Sequence, residues 1–307
     1  MRLLPPLPPR PRATALAGGL AAALLLSGCG AGTGTPEPAP SSAPSSEPSA
    51  AAPADGSGGP SYVALGDSYT SAPFVPQTDV AGGCFRSDDN YPAQVAEALG
   101  ARLTDVSCAG ADTSDVRRPQ LDGVPPQADA LGPDAELVTV SMGGNDGGVF
   151  STLVGQCGRP GVAATDCSRP ISAATESRLR ERLGRTATDL ARVLRLAARR
   201  APDARVLAVG YPVIVAGDAC DALPLSAASQ AAAARLNTEL NDAVRTAARR
   251  AGATYVDVAA ATEGHDICAE DPWVNGATTD QQRALAFHPF AAEQRAVAEA
   301  VVAAVWR

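Results

Sequence analysis

Short unbroken apolar runs alternate along this chain with longer stretches in which apolar residues recur every three or four positions. The runs at 62–65, 103–107, 137–142, 206–211 and 254–258 are rich in β-branched and aromatic residues and predict strands. Between and after them, 92–99, 176–200, 226–250 and 291–306 carry the helical period, with Leu179, Leu183, Leu190, Val193, Leu194 and Leu196 on overlapping faces of the longest. Strands that alternate with helices require crossover connections, so the pattern predicts an α/β domain with a parallel sheet covered on both faces. No internal repeat interrupts it.

The first 60 residues follow a different pattern. Arg2, Arg10 and Arg12 precede an apolar run at 15–26 that is short for a membrane span, which reads as a signal peptide over 1–28. Leu26-Ser27-Gly28-Cys29 resembles the lipobox of bacterial lipoproteins, so Cys29 is expected to carry lipid and hold the protein on the outer face of the cell membrane. From 29 to 60 the chain is almost wholly Ala, Gly, Pro, Ser and Thr with a few acids, a composition that predicts a disordered tether. The folded domain is therefore expected to span 61–307.

Charge narrows the partners. Removal of 1–28 takes away three arginines and no acid, moving the formal charge from −8 to −11, and the chain contains no lysine. A chain this acidic is repelled by nucleic-acid phosphates and anionic bilayers, which leaves the lipid as the expected means of membrane attachment. Without Cys29, six of the seven cysteines remain, an even number that in an exported chain predicts three disulfides. Six cysteines allow 15 connectivities. Pairing in chain order, Cys84–Cys108, Cys157–Cys167 and Cys220–Cys268, is the expectation adopted, and the spacings suit neither a zinc ribbon nor a redox pair.

Candidate chemistry lies just beyond three predicted strands. Gly66-Asp67-Ser68 follows the first, Gly110 in Ser107-Cys108-Ala109-Gly110 follows the second, and Asn145 in Gly143-Gly144-Asn145-Asp146 follows the third. In a parallel sheet these tips share one edge, where open α/β sheets place their ligands. A serine hydroxyl needs a base with a pKa near neutrality, and in a lysine-free chain with two histidines the candidates are His265 and His288. His288 stands before Pro289 and the last helix; His265 is next to the expected Cys220–Cys268 disulfide, on what reads as a surface loop. Asp67 and Asp146 read as turn anchors rather than catalytic acids.

With these four blocks in this order, the chain resembles the SGNH hydrolase family, also called GDSL esterases and lipases, across 61–307. The resemblance implies a three-layer α/β/α sandwich around a parallel sheet of about five strands, no metal or organic cofactor, and hydrolysis of acyl esters by a chain expected to act as a monomer. It implies Ser68 as nucleophile, His288 as base, and an oxyanion hole made by the backbone N–H groups of Ser68 and Gly110 and the Asn145 side chain. Family members commonly carry Asp three residues before the histidine, and here Leu285 stands there. As in some secreted members that lack this Asp, a main-chain carbonyl would orient the imidazole, by analogy that of Leu285, with Asp266 or Asp280 as other candidates. Tyr69 and Trp273 are candidate pocket residues, and pocket depth is expected to lie in the loops 72–90, 111–130 and 147–173. Carbohydrate O-deacetylation and ligand binding without turnover are the competing functions. The absence of Gly-x-Ser-x-Gly speaks against an α/β-hydrolase elbow.

Overall fold

The computed structural model describes residues 58–153, 170–216 and 219–306. The expected signal peptide, Cys29, nearly all of the tether and the Cys157–Cys167 pair lie outside the described residues.

Five strands, β1 (Ser61–Gly66), β4 (Arg102–Asp105), β5 (Leu137–Ser141), β6 (Arg205–Val209) and β7 (Thr254–Val256), form one sheet in the order β4-β1-β5-β6-β7. All neighbouring pairs are parallel. The sheet is the one predicted, with each strand end within a few residues of the apolar run that marks it. A separate hairpin, β2 (Thr78–Asp79) with β3 (Arg86–Ser87), is polar and too short to leave a period in the sequence.

Alternation within the strands divides the core. Val63, Leu65, Val138, Val140 and Ala208 face α4 (Ala173–Arg200) and α5 (Ala227–Ala251), while Tyr62, Ala64, Leu137, Leu207 and Val209 face α2 (Tyr91–Leu99) and α7 (Ala291–Val305). This is the period of a strand buried on both faces. The helices start where local chemistry directs. Asn90, Ser172 and Ser226 accept hydrogen bonds from Ala93, Thr175 and Ser229 amides, as N-caps that satisfy donors the first helical turn leaves free. The last helix starts at the predicted Ala291, after Phe290, and Pro289 pairs with Val274 in an isolated antiparallel bridge.

Strand order positions the site. β1 lies between β4 and β5, so the chain leaves β1 toward one side of the sheet and later crosses to the other, opening a crevice beyond the carboxyl ends of these three strands. Register aligns them, with Gly66 opposite Ser141 and Ala64 opposite both Asp105 and Thr139. Three short elements fill the rim: α1 (Ser68–Ser71), α3 (Val149–Leu153) and α6 (Val258–Ala261).

Candidate active site

At the end of β1 the chain turns sharply into α1, which begins at Ser68. Gly66 is required there by space: a Cβ would lie 2.0 Å from the Thr70 hydroxyl oxygen and 2.9 Å from the Ser141 carbonyl. Buried Gln127 clamps the same peptide, accepting the Gly66 N–H at 2.9 Å and donating to the Gly66 carbonyl at 2.9 Å. Asp67 caps α1 by accepting the Tyr69 N–H at 2.9 Å, and its other oxygen accepts the Tyr211 hydroxyl at 2.5 Å. Complete burial raises its carboxyl to about 7, against the pull of those two donors. Asp67 is thus a turn anchor, as expected.

Beyond β4, Gly110 has φ 82°, a left-handed conformation that L side chains rarely adopt; space is not the constraint, because a Cβ would meet nothing closer than the Gln120 amide at 3.6 Å. Its loop is held by the Cys84–Cys108 disulfide and by the Ala109 N–H on the Cys84 carbonyl at 2.9 Å. Beyond β5, Asn145 donates one amide hydrogen to the Ala111 carbonyl at 3.0 Å, which ties the second and third loops together and leaves a second hydrogen on the same nitrogen. Asp146 reinforces that tie by accepting the Thr113 N–H and hydroxyl, both at 2.8 Å, and burial raises its carboxyl to about 6.

The histidine arrives from the far end of the chain. His288 Nδ1 lies 2.7 Å from the Ala286 carbonyl. A carbonyl only accepts, so Nδ1 carries the proton and Nε2 keeps a free lone pair. Burial lowers the imidazole to about 4, opposed by that hydrogen bond, so at neutral pH the ring is uncharged and able to take a proton. Leu285 is not its partner, contrary to the assignment by analogy. The Leu285 carbonyl accepts the His288 backbone N–H at 3.1 Å and the Asn275 side chain at 3.1 Å, because the chain reverses at Phe287 and turns the next carbonyl, that of Ala286, toward the ring. Nor does a carboxylate substitute: Asp266 accepts the Cys268 N–H and Asp280 the Gln282 N–H, each capping its own local turn.

Ser68, Gly110, Asn145 and His288 line one cavity of about 550 Å³. The rest of its wall is mainly apolar, including Val149, Phe150, Leu153, Ile214, Leu236 and Leu240, with Phe85 and Leu121 contributed by the loops expected to set its depth. Tyr69 lines it as expected. Trp273 does not; it stacks on His265 at 3.6 Å, and His265 Nδ1 sits 2.8 Å from the Asp271 carbonyl, beside the Cys220–Cys268 disulfide. Such a cavity combines a hydroxyl, a neutral imidazole and N–H donors with an apolar wall that can accommodate a hydrocarbon chain. Val149, Phe150 and Leu153 of α3 come from the 147–173 stretch expected to set the depth, whereas Tyr211 and Gln127 escaped sequence reasoning because no motif marks them.

Residues 64–296 match the GDSL-like lipase/acylhydrolase family. Over 224 residues the chain is 42% identical to Lipase 2 of Streptomyces coelicolor, covering 71% of this chain and 76% of that one. The crystal structure of phospholipase A1 from Streptomyces albidoflavus superposes with a TM-score of 0.65 at 29% identity, over 80% of this chain and 99% of that one. The extracellular lipase of Streptomyces rimosus superposes equally well, at 0.65 and 28% identity with the same coverage.

Proposed function

This chain belongs to the GDSL-like lipase/acylhydrolase family as a carboxylic ester hydrolase, and we propose that it is an exported lipase or esterase that works through Ser68 and His288. The observation that carries this reading is the continuity of one cavity from those two side chains into an apolar wall. Ser68 Oγ attacks the ester carbonyl while His288 Nε2 accepts its proton. The carbonyl oxygen, now negative, is received by the N–H groups of Ser68 and Gly110 and by the Asn145 amide; one such donor typically lowers the barrier by about 2.7–4 kcal/mol. His288 returns the proton to the departing alcohol, and water repeats the sequence on the acyl-enzyme. The Ala286 carbonyl holds the productive tautomer but, being neutral, stabilises the imidazolium less than a carboxylate would.

Two features of the sequence and fold support export. Cys84–Cys108 and Cys220–Cys268 are disulfides of the kind oxidising compartments preserve, and the first 28 residues have the composition of a signal peptide. Lipid on Cys29 would retain the enzyme at the membrane.

Hydrolysis of p-nitrophenyl esters from acetyl to palmitoyl, by the wild type and Ser68→Ala, tests the reading. Turnover that rises toward medium or long chains and disappears in the variant supports it. Turnover confined to acetate would indicate deacetylation, and absence of Ser68 labelling by a fluorophosphonate would indicate a binding protein.

A further inference from the structure

Four non-glycine residues have a positive φ among those described, and one of them, Phe287 at 61°, immediately precedes His288. Left-handed backbone disfavours a bulky side chain, so something must hold this turn. The consequence of the turn is specific. It carries the Ala286 carbonyl back across Phe287 to a point 2.7 Å from the His288 ring, an arrangement an extended Phe287 would not produce.

Tyr69 is placed to hold it. Its hydroxyl donates to the Phe287 carbonyl at 2.6 Å, and its ring stacks on the His288 ring, with centroids 5.4 Å apart and planes inclined by 28°. The same ring packs edge-on against Tyr211 at 5.3 Å and lies 5.6 Å from Phe150, so it has little freedom to move. Its backbone is fixed at both ends, the N–H on Asp67 and the carbonyl by Gln294 of α7. Tyr69 is also the residue after Ser68.

We infer that Tyr69 is a positioning residue for the reaction: through its hydroxyl it locks the left-handed Phe287 turn, keeps the Ala286 carbonyl on His288 Nδ1, and couples the imidazole's position to the backbone that carries Ser68. A tyrosine that merely filled the core would need only its ring and not the hydroxyl that holds the Phe287 carbonyl. The inference rests on the Ser68–His288 reading above and adds the element that aligns the two, a contact between residues 218 positions apart in sequence.

Tyr69→Phe keeps the ring and removes only the hydroxyl. Two measurements separate positioning from packing. Because the chain contains two histidines, the His288 Nδ1–H resonance can be assigned in imidazole proton spectra with His265→Gln as the reference. The wild type should show a downfield, slowly exchanging His288 signal, and Tyr69→Phe should lose or broaden it. In parallel, kcat on a soluble p-nitrophenyl ester should fall by roughly 10- to 100-fold with KM within about threefold, the cost of a base displaced by a fraction of an ångström to an ångström. An unchanged resonance in Tyr69→Phe overturns the inference whatever happens to kcat, and so does an unchanged kcat. Phe287→Gly examines the link from the other side and remains informative if Tyr69→Phe does not fold. Glycine adopts the turn without strain and keeps the carbonyl that Tyr69 binds, so the resonance should persist; its loss would mean that Phe287 packing, not Tyr69, holds the turn. If the wild type shows no Ser68-dependent turnover, the catalytic reading fails, while the spectra still decide whether Tyr69 fixes the imidazole.

Discussion

The hydroxyl of Tyr211 donates to Asp67 at 2.5 Å, joining the residue before the candidate nucleophile to the loop beyond β6. The same oxygen accepts the Gly144 N–H at 2.9 Å, one residue before Asn145. One buried phenol therefore braces the turn that carries Ser68 against the loop that carries the side-chain oxyanion donor.

Tyr211→Phe should loosen both loops at once. It removes a hydrogen bond to a buried carboxyl and leaves a buried N–H without its acceptor, so unfolding free energy should fall by about 1–3 kcal/mol. Catalysis should suffer beyond stability: kcat should drop at least tenfold at temperatures where denaturant titration shows the variant fully folded. A folded variant with wild-type kcat would reduce Tyr211 to core packing.

The acidic limb of activity should lie far below that of an ordinary histidine. His288 is held at about 4 by burial, so it stays neutral as pH falls through the range where a solvent-exposed imidazole would charge. At pH 5.5 an imidazole of ordinary pKa, about 6.5, would be roughly nine-tenths protonated. The kcat/KM profile on a soluble ester should instead retain most of its plateau there and fall near pH 4. A limb centred at 6.5 would show that the imidazole is hydrated in the free enzyme.

Glu293, in the first turn of α7, is buried and receives the Gln294 side-chain N–H at 2.7 Å. Burial raises its carboxyl from 4.5 to about 8. The folded protein therefore keeps a proton that the unfolded chain loses above about 4.5, so this group withdraws stability progressively as pH rises from 4.5 to 8 and no further above that. Glu293→Gln retains an acceptor for Gln294 and has no proton to lose. Its melting temperature should match the wild type near pH 4.5 and exceed it at pH 8, by an unfolding free energy of roughly 2–4 kcal/mol. Parallel pH dependences for the two proteins would contradict the assignment.

Chain-length preference should respond to the apolar wall of the cavity. Leu153 lines it from α3. Leu153→Trp should fill the space a long acyl chain needs, lowering kcat/KM for palmitoyl esters at least tenfold while acetyl esters are hydrolysed as before; each excluded methylene is worth about 1 kcal/mol or more. Equal losses on both substrates would place the acyl chain elsewhere.

Local rules determined a large part of this protein. Apolar runs and helical periods marked all five sheet strands and the four long helices, because a strand buried on both faces and a helix with one buried face each impose a period on the sequence. Gly66-Asp67-Ser68, Gly110, Asn145 and His288 were legible as candidates because each stands just beyond a strand or before the last helix and because together, in this order, they resemble the motif blocks of one family. The absence of lysine pointed to the two histidines as the candidate bases without any structure. Packing alone decided the rest. The carbonyl that orients His288 belongs to Ala286 and not Leu285 because Phe287 turns left-handed, and that turn is anchored by a tyrosine 218 positions away. Gln127 meets Gly66 across 61 positions and Tyr211 meets Asp67 across 144. Contacts at such separations leave no periodicity in the chain, since they depend on how the crossovers stack the layers rather than on any neighbour in sequence. The apolar depth of the cavity has the same origin, with walls from α3, the loop after β6, and α5 that meet only when the sheet is assembled.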